Sequence, residues 1–279
     1  MTVVEQLKKK LYTSVEKVEG DNIAVAFSGG IDSALLAKAC KNIGKNVSLL
    51  TVAFSSSRDI RISSKVSKEL DLPLIQRRIS LEELEHSLTK VLSIIEFHRI
   101  ARLENSVCFY HVFKHALQND IPTVLSANGA DELFGGYHVF IRQFTDQREP
   151  MENLMKKLVK TAQKDKEQID KLADLFDIHY ECPLLSKNFV DFSMSLPFSL
   201  KIKNREDKIR KHVLRKLALD LGVPRSTALR PKKAFQYSSG ADKAIRKLAK
   251  EGGFTKAKAK QAGYHGRMEA YIQHLKGEY

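Results

Sequence analysis

Hydrophobic positions in the first half of the chain alternate between the spacing of buried strands and that of amphipathic helices. Residues 23–27 and 47–54 are continuous apolar runs, the pattern of parallel strands that are covered on both faces. Two weaker runs, at 73–79 and 121–125, have the length of further strands. Helical spacing recurs between these runs, with a capping box that begins at Ser80. The alternation predicts an α/β fold with a doubly wound parallel sheet.

Strand signals fade after about residue 145, and helical periodicity dominates the rest of the chain. The helices expected here lie at 152–176, 186–194 and 207–221. We expect this mostly helical C-terminal half to pack across one edge of the sheet. No repeat, low-complexity linker or break in composition divides the chain. The sequence therefore predicts a single domain over residues 1–279, with an α/β part at 1–145 and a helical part at 146–279.

Composition narrows the class of protein. The 279 residues are 43% hydrophobic with a mean hydropathy of −0.30, as in soluble globular proteins. No apolar run reaches the length of a membrane span, and the first residues, MTVVEQLKKKL, lack the apolar segment of a signal peptide. We therefore expect a cytoplasmic protein without a membrane partner. The three cysteines form no CxxC pair, which argues against a disulfide framework and against a zinc or iron–sulfur site.

The charge is strongly positive. A net charge of +14 favours polyanionic ligands such as nucleotides or RNA. Much of the excess lies between residues 201 and 260, and no aromatic residues interleave with the basic ones, as base stacking would require. A Lys-rich solvated surface explains the same excess without a polyanionic partner, so both interpretations stay open.

The first stretch with candidate chemistry is the run FSGGIDS, which follows the first predicted strand. Gly29 and Gly30 let the backbone approach a ligand and present its N–H groups, and a helix N-terminus adds donors and a positive dipole end. Ser28 and Ser33 add hydroxyl donors, and Asp32 offers a carboxylate to magnesium. A plain strand-to-helix turn with a Ser cap is the simpler alternative. The hydroxyl groups and the acid favour a nucleotide phosphate site.

A second glycine-rich run, SANGADELFGGY at residues 126–137, follows the strand predicted at 121–125. Its small residues, two acids and three glycines suit a metal–phosphate site, although a loop that merely turns the chain has a similar composition. Together the two runs resemble the N-type ATP pyrophosphatases (PP-loop enzymes), in particular the synthetase domain of asparagine synthetases. That domain carries SGGxDS and SGEG[AS]DE[LV]FGGY. The first motif is shared across the superfamily, whereas GADELFGGY narrows the resemblance to asparagine synthetase and its relatives.

A third run, LRPKKAFQYSSG at residues 229–240, resembles the lysine loop that closes over the site in that family. The resemblance covers about residues 3–240. The family's usual N-terminal glutaminase domain is expected to be absent, because the SGG turn already lies at position 28. The nitrogen is then expected as ammonia or an amine, from solution or from a separate glutaminase subunit. We also expect a homo-oligomer.

The resemblance implies an adenine nucleotide α-hydrolase-like fold and a two-step amide synthesis with ATP and Mg²⁺ as cofactors. ATP adenylates a carboxylate and releases pyrophosphate, and ammonia or an amine then displaces AMP. In that scheme the pyrophosphate is bound by Ser28, Gly29, Gly30 and Ser33, and the magnesium ion by Asp32 and Asp131. The rest of the nucleotide site comprises Val52, Phe54, Ala127 and Gly129. Lys233 or Lys232 stabilises charge on the α-phosphate, a task for a fixed cation.

The acceptor side departs from the family in three places. Asn128 replaces the acid of SGEG, and Asn cannot act as a general base. By count, Glu104 stands where the family has an arginine of the substrate pocket, and Glu181 replaces the arginine of its RVPFLD segment. An arginine that pairs with a carboxylate cannot become Glu without reversing what the pocket attracts. The activated acid is therefore left open, as aspartate or a related acid.

Two other functions stay open from the sequence. An ATP pyrophosphatase that adenylates a base in tRNA would account for the positive charge, although the lack of CxxC argues against iron–sulfur members. A catalytically silent nucleotide-binding subunit would keep the fold, but the intact Asp32 and Asp131 argue against it. His111 and His115, one helical turn apart, could ligate a metal. With no third ligand nearby, a packed or surface pair is the favoured interpretation.

Overall fold

The computed structural model describes residues 1–54, 58–96, 99–231 and 239–277. Within them a five-stranded parallel sheet has the strand order β3-β2-β1-β4-β5. Its strands are β1 (Asn22–Ala26), β2 (Asn46–Phe54), β3 (Leu74–Ile79), β4 (Thr123–Leu125) and β5 (His179–Glu181). Helices cover both faces of this sheet, so the predicted doubly wound α/β fold is confirmed.

The helices connect the strands and cover them. In the first half they are α1 (Val3–Glu16), α2 (Ile31–Asn42), α3 (Arg58–Leu70), α4 (Leu81–Leu92) and α5 (Ile100–Leu117). After β4 come α6 (Ala130–Phe134), α7 (His138–Arg142), α8 (Arg148–Asp174), α9 (Lys187–Ser195), α10 (His212–Asp220) and α11 (Arg225–Ala228). Toward the C-terminus lie α12 (Ala241–Glu251), α13 (Lys256–Gln261) and α14 (Arg267–Leu275).

Alternate residues of the central strand face two separate apolar layers. Ile23 and Val25 of β1 pack in one layer with the buried sides of α1, α2 and α10. Ala24 lies between them in sequence and packs in the other layer, with α4 and α5. Because both layers are apolar, β1 and β2 are continuous apolar runs rather than alternating ones.

The second half covers both faces of the sheet, and the expectation that it packs across one edge is wrong. α9 and α10 pack against α1 on one face, while α12 packs against α4 and α5 on the other. The apolar sides of these amphipathic helices, including Leu214 of α10 and Ile245 of α12, complete the two layers. β5 is a strand beyond residue 145 that the pattern did not predict, because its three residues are too few to show an alternation.

A capping box fixes the start of α4. Ser80 Oγ accepts a hydrogen bond from Glu83 N at 3.1 Å, and the Glu83 carboxylate accepts one from Ser80 N at 2.9 Å. This confirms the box predicted from the sequence. Thr2 and Glu5 make the same reciprocal pair at the start of α1.

The order of the strands reverses between β1 and β4, which lie side by side although α2 to α5 separate them along the chain. Ile23 is opposite Thr123 in the register, and Val25 is opposite Leu125. In open α/β sheets, ligands bind beyond the carboxyl ends of the strands at such a reversal. The runs FSGGIDS and SANGADELFGGY follow these two strands directly, so the fold brings them together.

Two further findings narrow the chemistry. Among the described helices, none is long and apolar enough to span a membrane. Cys40 and Cys182 are buried thiols, and burial raises their pKa to about 12 and about 11 respectively. Neither is therefore a thiolate that could serve as a nucleophile near neutral pH.

His111 is buried on α5, in agreement with a packed role. Its Nε2 lies 2.9 Å from Ser87 Oγ, and its ring packs edge-on against Phe54. Burial, and after it the neighbouring His115, lowers the pKa of His111 to about 3. The folded protein therefore keeps this imidazole neutral at pH values where an unfolded chain would protonate it.

The neutral His111 makes the fold sensitive to acid. Its stabilising contribution is complete above pH 6.5, the ordinary His pKa, and is lost as the pH falls, because only the unfolded chain binds the proton. The loss is about 2 kcal/mol between pH 6.5 and 5. We expect His111→Gln to flatten the pH dependence of the urea midpoint over this range. His86→Gln, at an exposed position of α4, is the control; equal slopes in both variants would contradict the assignment.

Candidate active site

The FSGGIDS turn joins the carboxyl end of β1 to α2. Gly29 has a left-handed φ of 68°, and a Cβ there would lie 2.8 Å from Ile62 Cγ2, so the turn needs glycine. Ser28 Oγ accepts a hydrogen bond from Gly30 N at 3.3 Å, and Ser33 Oγ donates to Gly30 O at 3.3 Å. Gly30 has no side chain with which to cap α2, so the first N–H groups of this helix keep their donors for a ligand. Free N–H donors at a helix N-terminus suit an anion.

The start of the SANGADELFGGY loop is held in place at Ser126 and at Gly129. Ser126 Oγ lies 2.7 Å from the Tyr180 hydroxyl, and Ser126 N donates to the backbone of β5 at 3.0 Å. Gly129 has a φ of 100°, and a Cβ there would lie 2.7 Å from Leu185 Cδ2. α6 begins directly afterwards with Asp131 in its first turn. Tight packing behind Gly129 therefore fixes the position of Asp131.

Asp32 and Asp131 meet at one buried lysine. Lys211 Nζ lies 2.7 Å from each carboxylate oxygen of Asp32 and 2.6 Å from Asp131 Oδ1. The Lys211 side chain is 1% exposed, and those of Asp32 and Asp131 are 20% and 18% exposed. Burial lowers the pKa of Lys211, and the Asp32 carboxylate opposes that effect. We call these three residues the acid–lysine cluster.

Lys211 reaches the two carboxylates from an unusual backbone conformation. Arg210 and Lys211 have φ values of 51° and 57°, and a non-glycine residue in this left-handed region costs roughly 1–3 kcal/mol. Asp207 holds the turn, because its carboxylate accepts hydrogen bonds from Arg210 N at 2.9 Å and from His212 Nε2 at 2.6 Å. Strain of this kind persists only where the surroundings enforce it, and it is concentrated at functional sites.

Two arginines connect the Lys211 turn to the FSGGIDS turn. Arg215 is 3% exposed, and its guanidinium donates to Ala228 O at 2.5 Å and to Arg230 O at 3.1 Å. Arg230 in turn donates from Nη2 to Gly29 O. The segment that carries Lys211 is therefore connected to the backbone of the FSGGIDS turn through these two side chains.

The acid–lysine cluster offers a magnesium ion two carboxylates. Among the residues that the structure describes, no group of three His, Cys, Asp or Glu side chains is placed to hold a metal. Mg²⁺ in proteins usually takes one or two carboxylates and completes its coordination with water and substrate phosphates. Asp32 and Asp131 therefore fit an ion that binds together with a nucleotide. Because the Lys211 ammonium contacts both carboxylates and offsets one of their two negative charges, the ion and the ammonium compete for the same oxygens.

The remaining predicted residues of the nucleotide site have mixed positions. Val52 and Phe54 are each 1% exposed and pack in the layer between the sheet and α5. Ala127 is half-buried in the SANGADELFGGY loop. Their contact with a nucleotide stays a prediction. Lys232 and Lys233 lie outside the described residues, so the choice between these two lysines also stays open.

A cavity opens beside the SANGADELFGGY loop, between α5, α6 and α8. It has a volume of about 70 Å³, and Asn128 and Glu132 form part of its wall. Because these two residues flank Asp131 closely in the loop, the cavity adjoins the acid–lysine cluster. The Glu132 carboxylate accepts a hydrogen bond from the Tyr137 hydroxyl at 2.6 Å, and burial raises the pKa of Glu132. We call this space the α5–α8 cavity.

Glu104 and Glu181, the two acids that depart from the family pattern, are not part of the wall of the α5–α8 cavity. Glu104 is 3% exposed and faces Asp242 on α12; burial, together with the Asp242 charge, raises the pKa of Glu104 to about 7. Its neighbours Arg102 and Asn105 line the cavity instead. Glu181 is partly exposed on the edge strand β5. The charge of the cavity therefore depends on other residues than these two.

Gly136 leaves the space that the acid–lysine cluster occupies. A Cβ at this position would lie 1.8 Å from Asp131 Oδ1 and 2.4 Å from Lys211 Cε. We expect Gly136→Ala to destabilise the fold by about 1–3 kcal/mol, because the cluster has to move. Gly266→Ala is the matched control, since a Cβ there meets nothing within 4 Å. Equal free energies of unfolding for the two variants, measured in urea, would show that the cluster is not packed as described.

In this parallel sheet a glycine turn and an acidic loop meet at the switch point, where the strand order reverses between β1 and β4. This arrangement defines a nucleotide-binding α/β protein. Comparison with known families specifies which one. The family model described as asparagine synthase matches residues 6–163 and 142–275. The chain belongs to the asparagine synthase family, which confirms the resemblance seen in the three sequence runs.

Individual relatives agree with this assignment. A Methanocaldococcus jannaschii protein assigned as a glutamine-hydrolysing asparagine synthetase is 30% identical over 285 residues, covering 90% of this chain and 52% of that protein. Asparagine synthetase B of Escherichia coli K12 is 23% identical over 256 residues, covering 86% and 46%. The chain spans about half the length of these relatives. An NH3-dependent NAD synthetase structure from Campylobacter jejuni covers 70% of this chain and 96% of its own at 16% identity, with a TM-score of 0.34, too low for any conclusion here.

The sequence pattern does not predict a role for Lys211, Arg215 or Arg230. Lys211 and Arg215 are one helical turn apart at the start of a helix, but so are many basic residues in this Lys-rich region. Asp207, which nucleates the strained turn, offers the one local signal, an acid that can bind backbone N–H groups a few residues later. Only the folded structure shows that this turn reaches two acids from distant parts of the chain.

Proposed function

We propose that this chain catalyses an ATP-dependent, AMP-forming amide synthesis. The observation that carries the proposal is the meeting of Asp32 and Asp131 at the switch point, beside the donor-rich FSGGIDS turn. Membership of the asparagine synthase family supports the same class of reaction. The substrates of the first step are then ATP and a small carboxylate.

In the first step, the N–H groups of the FSGGIDS turn and of the start of α2 bind the β- and γ-phosphates. A carboxylate oxygen attacks the α-phosphorus, the bond from that phosphorus to the pyrophosphate oxygen breaks, and an acyl adenylate and pyrophosphate form. Such transfers depend on positioning and charge neutralisation. A magnesium ion at Asp32 and Asp131 supplies that neutralisation when it is bound. Lys211 holds the two carboxylates together before the nucleotide arrives.

In the second step, the nitrogen of ammonia or an amine attacks the carbonyl carbon, and AMP leaves with the carboxylate oxygen. Asn128 replaces a family acid next to this centre, and its Nδ2 donates to the Tyr180 hydroxyl at 3.1 Å. Because an amide cannot take up a proton, Asn128 orients the incoming nitrogen through its carbonyl oxygen. The relatives are named as glutamine-hydrolysing enzymes, so the nitrogen reaches this centre as ammonia, free in solution or released from glutamine.

Pyrophosphate release from ATP tests the proposal. We expect the purified chain to release pyrophosphate and AMP in equal amounts when Mg²⁺, an ammonium salt and a suitable member of a carboxylate panel are present. Removal of Mg²⁺ with a chelator should stop the release. Release that requires tRNA instead of any carboxylate would support the alternative, adenylation of an RNA base. If neither a carboxylate nor tRNA supports pyrophosphate release, the proposal is contradicted.

A further inference from the structure

The wall of the α5–α8 cavity carries an excess of acids. Its carboxyl groups are those of Glu96, Glu132 and Asp165, and its guanidinium is that of Arg102. Arg102 Nε lies 3.0 Å from Asp165 Oδ1, so the positive charge is already paired within the wall. An incoming carboxylate group would therefore find no unpaired cation among the described lining residues, and the carboxylate of Glu96 would repel it.

The wall also offers hydrogen-bond acceptors to a ligand. Asn105 Oδ1 is buried and has no hydrogen-bond partner among the described residues. The Asn128 amide nitrogen donates to Tyr180, which leaves the Asn128 carbonyl oxygen for a ligand. The Tyr137 hydroxyl is engaged with Glu132. A buried acceptor without a donor is unfavourable, and a ligand with several N–H groups would satisfy it.

The opposite charge lies on the side of the FSGGIDS turn. The N-terminus of α2, whose first N–H groups have no side-chain cap, is found there, and it attracts anions. A substrate that spans from this turn into the α5–α8 cavity thus meets positive potential at one end and carboxylates at the other. The volume of the cavity, about 70 Å³, is enough for one end group of a substrate, such as an ammonium group on a short alkyl chain.

We propose that the α5–α8 cavity binds a primary ammonium group of the carboxylate substrate, so that the acid activated by this protein is an amino-bearing monocarboxylate and not a dicarboxylate. The proposal rests on the proposed function for the fate of the carboxylate, but the ammonium site itself is a binding property of the cavity. Asp165 and Arg102 are its specificity-determining residues, because their pairing sets the charge that the ligand meets.

Matched acids test the preference in the wild-type protein. γ-Aminobutyrate and glutarate have the same number of methylene groups, but γ-aminobutyrate has an ammonium group where glutarate has its second carboxylate. β-Alanine and succinate form a second such pair. We expect the amino acid of each pair to support pyrophosphate release with at least about tenfold higher kcat/KM, since one charge-assisted hydrogen bond contributes that much. Equal or higher values for glutarate and succinate would overturn the proposal.

Two variants shift the preference in opposite directions. Asp165→Asn releases Arg102 from its partner and should move the ratio of γ-aminobutyrate to glutarate about tenfold toward glutarate. Arg102→Gln removes the positive charge and should move the ratio toward γ-aminobutyrate. The control is Glu167→Gln, which removes a negative charge from the exposed side of α8, the helix that carries Asp165. The ratio should stay unchanged in this variant. A purely structural role of Asp165 and Arg102 would lower both activities without changing the ratio, and that result would overturn the assignment.

Calorimetric titration without ATP separates the ammonium site from the reaction. We expect γ-aminobutyrate to bind the wild-type protein more tightly than glutarate does, and Asp165→Asn to weaken its binding. If this binding is observed but no acid supports pyrophosphate release, the proposed function fails and the ammonium site stands. If glutarate alone supports release, the ammonium site fails and the proposed function stands. Absence of binding by both γ-aminobutyrate and β-alanine would overturn the ammonium site.

Discussion

Lys211→Met is expected to destabilise the protein and to make its stability depend on magnesium. The substitution leaves the Asp32 and Asp131 carboxylates close together, largely buried and without their cation. Breaking a buried ion pair costs about 3–5 kcal/mol, and the residual exposure of both acids places this case near the lower end. At roughly 2–4 °C per kcal/mol, the thermal midpoint should fall by about 6–12 °C. Millimolar Mg²⁺ should recover much of the loss, because the ion replaces the ammonium.

A matched control separates this effect from the loss of any lysine. Lys187 pairs with Asp191 at 2.6 Å, but both side chains are exposed, at 87% and 61%. Lys187→Met should change the stability by less than about 1 kcal/mol, with no response to Mg²⁺. A Lys211→Met variant with the same midpoint as Lys187→Met, measured by thermal unfolding with and without Mg²⁺, would show that the acid–lysine cluster does not form.

Asp32→Asn is expected to reduce pyrophosphate release on the order of 10²–10³-fold, the usual effect of removing one stabilising group from a transition state in which charge develops. The amide keeps the shape of the side chain but loses the negative charge with which Asp32 would hold magnesium. The fold should survive, because Lys211 retains its contact with Asp131. Nucleotide binding measured by calorimetry should lose its dependence on Mg²⁺ in parallel with the activity.

The comparison for Asp32→Asn is Asp220→Asn, which removes an aspartate that pairs with Lys8 on the surface, at 2.9 Å. That variant should release pyrophosphate at the wild-type rate. Activity of Asp32→Asn within a few-fold of Asp220→Asn would rule out a role for Asp32 in charge neutralisation.

The sheet could be predicted because its long strands coincide with apolar runs that are visible in the local sequence. β1 and β2 are continuous apolar runs, and Ser80 opens α4 through bonds to a residue three positions away. Period and capping depend on neighbours in sequence, so a single sequence contains them. β5 lacks such a record, because three residues on an edge strand show no period.

The site could be predicted only in part, because its residues come from separate segments. Both acids follow strands that the sequence predicts, and parallel strand ends place Asp32 and Asp131 at one edge of the sheet. Lys211 belongs to a turn far along the chain, and its approach depends on backbone strain that local pattern does not reveal. By count, Glu104 falls in the substrate pocket of the family, whereas the structure directs it toward α12. A position in a motif does not fix the direction of a side chain.

Isotope transfer from the carboxylate tests the central claim, that this site adenylates an acid, more directly than any other measurement. The acid that best supports pyrophosphate release is labelled with ¹⁸O in its carboxylate and incubated with the wild-type protein, ATP, Mg²⁺ and an ammonium salt. Attack of the carboxylate on the α-phosphorus predicts that the AMP formed carries one ¹⁸O atom, detected by mass spectrometry. Unlabelled AMP, or formation of ADP with label in inorganic phosphate, would contradict the account.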